Sequence, residues 1–372
     1  MSSSNDWHWP FRCIGCGDSY PVDSVPFRCP RCHSIFDLIA DLPLSSESEV
    51  RDHPGLNRYR NSLPLPPDAE LVTLGEGDTP LVKSIIQGRQ IYFKCEHLNP
   101  TGSFKDRGTA VLVSALKYLG VQSAVEDSSG NAGASFAAYA AHANIDARIF
   151  IPDYTSGPKR NQLGAYGAEI VPIPGPRSAA TEAVLEAVDR GAIYASHAYL
   201  PHGIAGMATV AYELFRQLGE IPGSVVTPVG QGSMFLGLSL GFQALMNANQ
   251  IDRLPQLVAV QATACAPIWA KYMSNMADSP SMVEGETIAE GIRILNPLRR
   301  DSVIAAIRNT EGIVVAVEEE EILSGWKALG RRGFYVEPTS AVVWPGILKT
   351  WDQLRDPVVV ILTGTGLKSA IP

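Results

Sequence analysis

From Ile91 onward the chain alternates short, almost wholly apolar runs with longer stretches of helical period, and this alternation constrains the fold more than any other feature. The runs are Ile91–Phe93, Ala147–Ile151, Ser224–Val229, Leu257–Gln261, Ile313–Val317 and Val358–Leu362, and helix-length segments such as 132–143, 179–188, 204–218 and 319–329 lie between them. A strand with one face in water alternates apolar and polar residues, so strands without that alternation are covered on both faces. Strands and helices in this order predict an α/β fold on parallel sheets. Ligands of such sheets sit at the carboxyl ends of the strands, in the loops that open the next helices.

The 372 residues are 45% hydrophobic and 18% charged, enough for about two domains and a small appendage. A net charge of -8 argues against nucleic acid and anionic membranes as partners, since both reward clustered positive charge. The expected ligand is therefore small. The start, MSSSNDWHWP, has neither the basic nor the apolar region of a signal peptide, and no apolar run reaches bilayer-spanning length. A soluble, cytoplasmic protein is expected.

Four of the six cysteines, Cys13, Cys16, Cys29 and Cys32, form C-x2-C-x12-C-x2-C, with Gly17 relieving the backbone behind the first pair. Two turns that each aim two thiolates at one point suit tetrahedral zinc. With all four positions filled by sulfur the metal is structural, and it is expected to hold residues 8–40 together. Cys29-x-x-Cys32-His33 also fits haem attachment, which would leave the first pair without a purpose. Cys95 and Cys265 stand alone, as small apolar core residues do. A polar, proline-marked stretch from Ser45 through Pro67 reads as a linker.

Asn99-Pro-Thr-Gly-Ser-Phe-Lys105-Asp-Arg-Gly108 sets one lysine at the edge of a Pro/Gly turn. A lysine held there and partly desolvated can form a Schiff base with a carbonyl such as that of pyridoxal phosphate, although a solvated surface lysine has the same local sequence. Ser128-Ser129-Gly130-Asn131 follows a strand and opens an Ala-rich helix, which suits a carboxylate or a plain helix cap. Gly230-Gln231-Gly232-Ser233 ends another strand, where glycines admit a phosphate or merely a tight turn. No P-loop pattern is present. Thr363, at the end of the last strand, offers a hydroxyl to a ring nitrogen, which a hydroxyl would not keep protonated.

With Gly75-Glu-Gly-Asp-Thr-Pro-Leu81, Leu98–Gly108, Ser129–Asn131, Thr287–Ala289, Glu337-Pro-Thr-Ser-Ala341 and Leu362-Thr-Gly-x-Gly-Leu-Lys368, the chain resembles the fold-type II pyridoxal-phosphate enzymes of the tryptophan synthase β superfamily. Within them it looks most like the threonine synthase family, some of whose members carry a zinc ribbon. The resemblance runs from about residue 70 to the C-terminus. It implies that Lys105 carries the cofactor as a Schiff base, that Asn131 bonds its 3-hydroxyl, that Gly230 to Ser233 cradle its phosphate and that Thr363 faces the pyridine nitrogen. Ser128, Ser129, Gly130 and Asn131 would take the substrate carboxylate. It also implies a large cofactor domain of residues 41–107 and 201–372, a small mobile domain of residues 108–200, and a homodimer.

The implied activity is that of a lyase converting O-phosphohomoserine and water to threonine and phosphate. Two departures bear on substrate choice. Gly203 stands where the family's substrate-phosphate arginine aligns, and Thr365 replaces a usual histidine. Arg160, Arg177, His197 and His202 are the cationic candidates nearby, with structural roles open to the histidines. The segment His197-x-x-x-Pro201-x-x-Ile204-Ala205-Gly206 is similar to that of threonine/serine dehydratases, so β-elimination to a 2-oxo acid is an alternative. A β-replacement such as cysteate synthesis is another, and a catalytically dead zinc-ribbon binding module is the non-enzyme alternative.

Overall fold

Hydrogen bonding follows the apolar runs to within a residue or two. The computed structural model describes residues 7–38, 42–44, 53–155, 157–273 and 285–368. In chain order come β1 (Phe11–Cys13), β2 (Phe36–Leu38), β3 (Leu81–Ile86), β4 (Arg89–Lys94), α1 (Lys105–Tyr118), β5 (Ser123–Glu126), α2 (Asn131–Ala143) and β6 (Asp146–Pro152). Then follow α3 (Gly157–Ala165), β7 (Glu169–Ile173), α4 (Arg177–Asp189), α5 (His202–Leu218), β8 (Ser224–Pro228), α6 (Ser233–Asn247) and β9 (Gln256–Ala262). The remainder is α7 (Pro267–Met273), α8 (Arg300–Asn309), β10 (Ile313–Val317), α9 (Glu319–Gly330), α10 (Pro338–Ala341), α11 (Val343–Lys349) and β11 (Val358–Ile361).

The chain divides into two compact units, the first Met1–Glu76 with Lys105–Gly206, the second Gly77–Phe104 with Met207–Pro372. Within the first unit the starts of α1 and α5 touch. Gly206 at the start of α5 lies so close to α1 that an added Cβ would stand 2.0 Å from the Arg107 carbonyl oxygen.

The second unit is a six-stranded sheet in the order β10-β9-β8-β11-β4-β3. Every residue of β8, β9 and β11 is buried, as strands covered on both faces require. One strand departs from the all-parallel expectation: β3 pairs antiparallel with β4 at the sheet edge. Gln87 and Gly88 between them both have positive φ, 47° and 82°, the backbone of a two-residue hairpin turn.

The first unit holds a parallel sheet, β5-β6-β7, and the small antiparallel pair β1-β2. One apolar core runs from Trp9, Phe11 and Phe36 through Leu56, Leu63 and Leu65 to Val111 of α1 and Phe136 of α2. The expected linker is corrected accordingly. Residues 45–52 lie outside those described, but Gly55–Ser62 is a 3-10 helix whose Leu56 and Tyr59 are fully buried. Its apolar residues are few yet all turn inward, which outweighs the prolines around them.

Candidate active site

In the first unit, Lys105 is the first residue of α1 and follows the turn at Gly102, whose φ is +86°. That turn belongs to the second unit and is tied there to the end of β11: Phe104 N–H donates to the Thr363 carbonyl at 3.0 Å, and Ser103 bridges Gly364. Buried side chains fix it from below. Asn99 Oδ1 accepts Gly77 N–H at 3.0 Å, its Nδ2 donates to Glu96 Oε2 at 2.9 Å, and Thr79 donates to Glu96 Oε1 at 2.6 Å. Lys94 and Glu213 form a wholly buried ion pair at 2.6 Å, with Glu213 also accepting Asp78 N–H. Gly77 and Thr79 are thus hydrogen-bonded, through Asn99 and Glu96, to the segment that leads into the lysine turn.

The other candidates of the second unit lie at strand ends. Thr363 is buried, and its Oγ1 is 2.9 Å from Ser340 Oγ, which in turn accepts Gly364 N–H at 2.8 Å. Ser340 sits in the matched Glu337–Ala341 motif, but only the fold gives it a function, that of orienting Thr363. Gly230 to Ser233 form the loop from β8 into α6, where Gly232 has φ +90°. A Cβ at Gly230 would meet the Gly291 carbonyl at 3.1 Å, and one at Gly232 would meet Val303 at 2.5 Å. A side chain at either position would crowd this loop, which opens the N-terminus of α6.

In the first unit Asn131 opens α2, preceded by Ser128, Ser129 and Gly130. Gly133 is required there, since a Cβ would come within 1.8 Å of the Ser128 carbonyl oxygen. Ser128 is buried, its N–H donates to Glu126 Oε2 at 2.5 Å, and Gly130 N–H donates to Ser128 Oγ at 3.3 Å. Glu126 also bonds His197, Oε1 to Nδ1 at 2.7 Å. Burial pushes the carboxyls of Glu126 and Asp127 up, and Asp127 accepts from Thr181 at 2.7 Å and Tyr194 at 2.8 Å. Neither acid was among the sequence candidates. They look like the end of a strand, and the pairing with a histidine 71 residues away exists only in the fold.

Of the cationic candidates, Arg160 bonds the Asp153 carbonyl, and Arg177 is exposed at the start of α4. His202 is fully buried in a cage of Trp9, Phe11 and Tyr20, with ring centroids at 5.0, 4.8 and 5.2 Å. Burial drives its pKa down to about 3, so it is neutral and cannot attract an anion by charge. At Gly203 a Cβ would stand 3.2 Å from the Gly108 carbonyl oxygen, a tight contact that any side chain there must accommodate.

The four cysteines of the ribbon converge. Their sulfurs all lie within 4.8 Å of one another, with Cys13 to Cys32 at 3.2 Å and Cys16 to Cys29 at 3.5 Å. Tetrahedral thiolate ligands about 2.3 Å from a zinc stand roughly 3.8 Å apart, so the cluster could hold a metal with small adjustment. The two knuckles share one geometry. Gly17 N–H donates to the Cys13 carbonyl and His33 N–H to the Cys29 carbonyl, both at 2.9 Å, with φ of +78° and +60°. The first knuckle meets the left-handed backbone with glycine, the second with histidine.

The chain matches the family model for pyridoxal-phosphate dependent enzymes over residues 72–364 and belongs to that family. Its relatives define the branch. It is 33% identical to a threonine synthase of Methanocaldococcus jannaschii over 96% of this chain and 92% of that protein. It is 35% identical to one of Mycobacterium tuberculosis over 83% and 87%. Within the family the chain therefore falls among the threonine synthases. The crystal structure of a threonine deaminase from T.th. superposes with a TM-score of 0.66 at 27% identity, covering 79% of this chain and 94% of that one. A maize serine racemase shares the fold, with a TM-score of 0.67 at 23% identity over 77% and 88%. Among the described residues no helix is long and apolar enough to cross a membrane.

Proposed function

We propose that this enzyme converts O-phosphohomoserine and water to threonine and phosphate. The observation that carries the proposal is Lys105 at the head of α1, on a turn bonded to the strand end that presents Thr363. Pyridoxal phosphate, when bound, supplies an aldehyde for a lysine amine and a conjugated system that accommodates negative charge at the substrate Cα. Lys105 is assigned as the amine that carries it and, once released by substrate, as the base that takes the α-proton. Gly230, Gln231, Gly232 and Ser233 are assigned to its phosphate, a role supported by a loop in which a Cβ would clash. Asn131 is assigned to its 3-hydroxyl and Thr363, steadied by Ser340, to its ring nitrogen. A hydroxyl there leaves the nitrogen unprotonated and favours elimination over a long-lived carbanion.

Ser128, Ser129, Gly130 and Asn131 are assigned to the substrate carboxylate, with the α2 N-terminus lending partial positive charge. Zinc is assigned to Cys13, Cys16, Cys29 and Cys32, in a structural role. A cytoplasmic homodimer without nucleic-acid or membrane partners completes the proposal, in keeping with the charge of -8.

The test is a substrate screen on purified enzyme that follows phosphate, ammonia and 2-oxo acids in parallel. Stoichiometric threonine and phosphate from O-phosphohomoserine is the expected result. Production of 2-oxobutyrate from threonine or pyruvate from serine, without phosphate release from O-phosphohomoserine, would replace it with a dehydratase. Absence of a borohydride-sensitive near-violet absorbance in the loaded protein would exclude both.

A further inference from the structure

Between α4 and α5, residues 195–201 form only turns and irregular backbone, yet they neighbour the loop assigned to the substrate carboxylate. Their register beside β5 is set by two backbone bonds: Val125 N–H donates to the Ile193 carbonyl at 2.8 Å, and Ala195 N–H to the Val125 carbonyl at 2.9 Å. Two side chains then reach the carboxyls at the end of β5. Tyr194 Oη donates to Asp127 Oδ1 at 2.8 Å, and His197 Nδ1 lies 2.7 Å from Glu126 Oε1. Glu126 Oε2 in turn accepts the N–H of Ser128, the first residue of the carboxylate loop, at 2.5 Å. Displacing the segment takes one partner from Glu126 and one from Asp127, and with them the fixed acceptor of the Ser128 amide.

The N-terminal ribbon grips this segment at both ends. Phe27 packs against both of its tyrosines, with ring centroids 5.4 Å from Tyr194 and 5.2 Å from Tyr199, and joins the small core of Val125 and Phe150 beneath them. Arg28 donates from Nη2 to Tyr199 Oη at 2.7 Å, and its guanidinium carbon stands 5.0 Å from the centre of that ring, a cation–π distance. At the far end the cage of Trp9, Phe11 and Tyr20 encloses His202. Phe27 and Arg28 lead directly into Cys29, whose N–H donates to the Ser34 carbonyl at 2.8 Å across the second knuckle. The sulfur cluster and the hold on Tyr199 therefore share one stretch of backbone.

We propose that the ribbon braces the substrate-carboxylate loop, with Phe27 and Arg28 as positioning residues that act through Tyr194 and Tyr199. This rests on the assignment of Ser128, Ser129, Gly130 and Asn131 to that carboxylate. The carboxylate does not react, so a group that orders its loop contributes equally to bound substrate and to the transition state. Losing such a group raises KM and leaves kcat in place.

The experiment compares the full-length wild type with Arg28→Ala, Arg28→Lys and Tyr199→Phe, each loaded with pyridoxal phosphate, by kinetics on O-phosphohomoserine and by amide hydrogen exchange. Arg28→Ala is expected to raise KM on the order of 10-fold, the usual scale of coupling between sites, with kcat within about twofold of the wild type. The Ser128 and Ala195 amides should exchange faster by a similar factor, while those of β8 and β9 keep their rates. Arg28→Lys, which retains the charge without the planar fork, should lie between wild type and Arg28→Ala. Stripping the metal with a chelator should speed exchange at the same two amides, a readout independent of turnover. Unchanged KM and unchanged exchange in Arg28→Ala would overturn the proposal. A fall in kcat that tracks the melting temperature would overturn it too, since a ribbon that only adds stability behaves that way. Should Arg28→Ala not fold, Tyr199→Phe, which removes a single hydroxyl, decides by the same two readouts. If Ser129→Ala and Asn131→Ala both leave KM unchanged, the carboxylate assignment falls instead, and exchange at Ser128 still decides whether the ribbon braces the loop.

Discussion

Neutral burial of a histidine makes acid stability a property of single side chains. His202 has its pKa pushed down to about 3, against about 6.5 in the unfolded chain, so the unfolded state binds the extra proton first. Its contribution is therefore complete above about pH 6.5 and is lost progressively as the pH falls toward 3, at roughly 1.4 kcal/mol per pH unit. His202→Phe, which suits the aromatic cage, is expected to lose about 2 kcal/mol less stability than the wild type between pH 7 and pH 5. Denaturant midpoints of both proteins at the two pH values measure the difference, and equal acid sensitivity would contradict it. Both proteins keep the four cysteines, so acid release of a metal cancels in the comparison. His197 is also held below its ordinary pKa by burial, but unlike His202 it has a polar partner, the Glu126 carboxyl at 2.7 Å.

Helix contacts decide what the substrate-facing segment can become. The first turns of α5 and α1 meet at Gly203 and Gly206, where an added Cβ would stand 3.2 Å and 2.0 Å from backbone oxygens of α1. Introducing the arginine that the family resemblance implies here, by Gly203→Arg, is expected to strain this contact by about 1–3 kcal/mol. It should lower the melting temperature and reduce turnover rather than tighten binding of a phosphorylated substrate. Calorimetry and KM for O-phosphohomoserine give the two readouts, and a lower KM with an unchanged melting temperature would show that the helices yield. Gly206→Ala should cost more stability than Gly203→Ala, because both obstacles are backbone oxygens and the one at Gly206 is nearer, 2.0 Å against 3.2 Å. The glycines were legible in the sequence, but the contact was not: Gly206 and Arg107 are far apart along the chain, and nothing in either segment names the other.

At the level of the whole molecule, the ribbon shares one apolar core with α1 and α2, from Trp9 and Phe11 to Val111 and Phe136. Its cohesion depends on four converging sulfurs more than on two three-residue strands. Removal of the metal by a chelator under reducing conditions is expected to open residues 8–38 to protease while the second unit stays folded. Metal analysis should find one zinc per chain before treatment, and Cys16→Ser should reproduce the opening. Unchanged protease resistance without metal would show that the aromatic core holds the ribbon by itself. Because that core includes His202, at the head of the helix that abuts α1, loss of the ribbon should also slow cofactor loading at Lys105.

Periodicity and composition sufficed for the α/β class, the runs that became β4, β6, β8, β9, β10 and β11, the paired cysteines and the lysine turn, because these are local: strand burial, knuckle spacing and a Pro/Gly turn are written in consecutive residues. The antiparallel edge strand was legible as well, in Gln87-Gly88 between two apolar runs, but it was hidden by the parallel pattern around it. Glu126 against His197, Ser340 against Thr363, the His202 cage and the closeness of Gly206 to Arg107 were decided by tertiary structure alone. Each joins segments distant in sequence, and whether a buried polar group becomes a tether, a brace or a packed ring depends on what the fold sets against it.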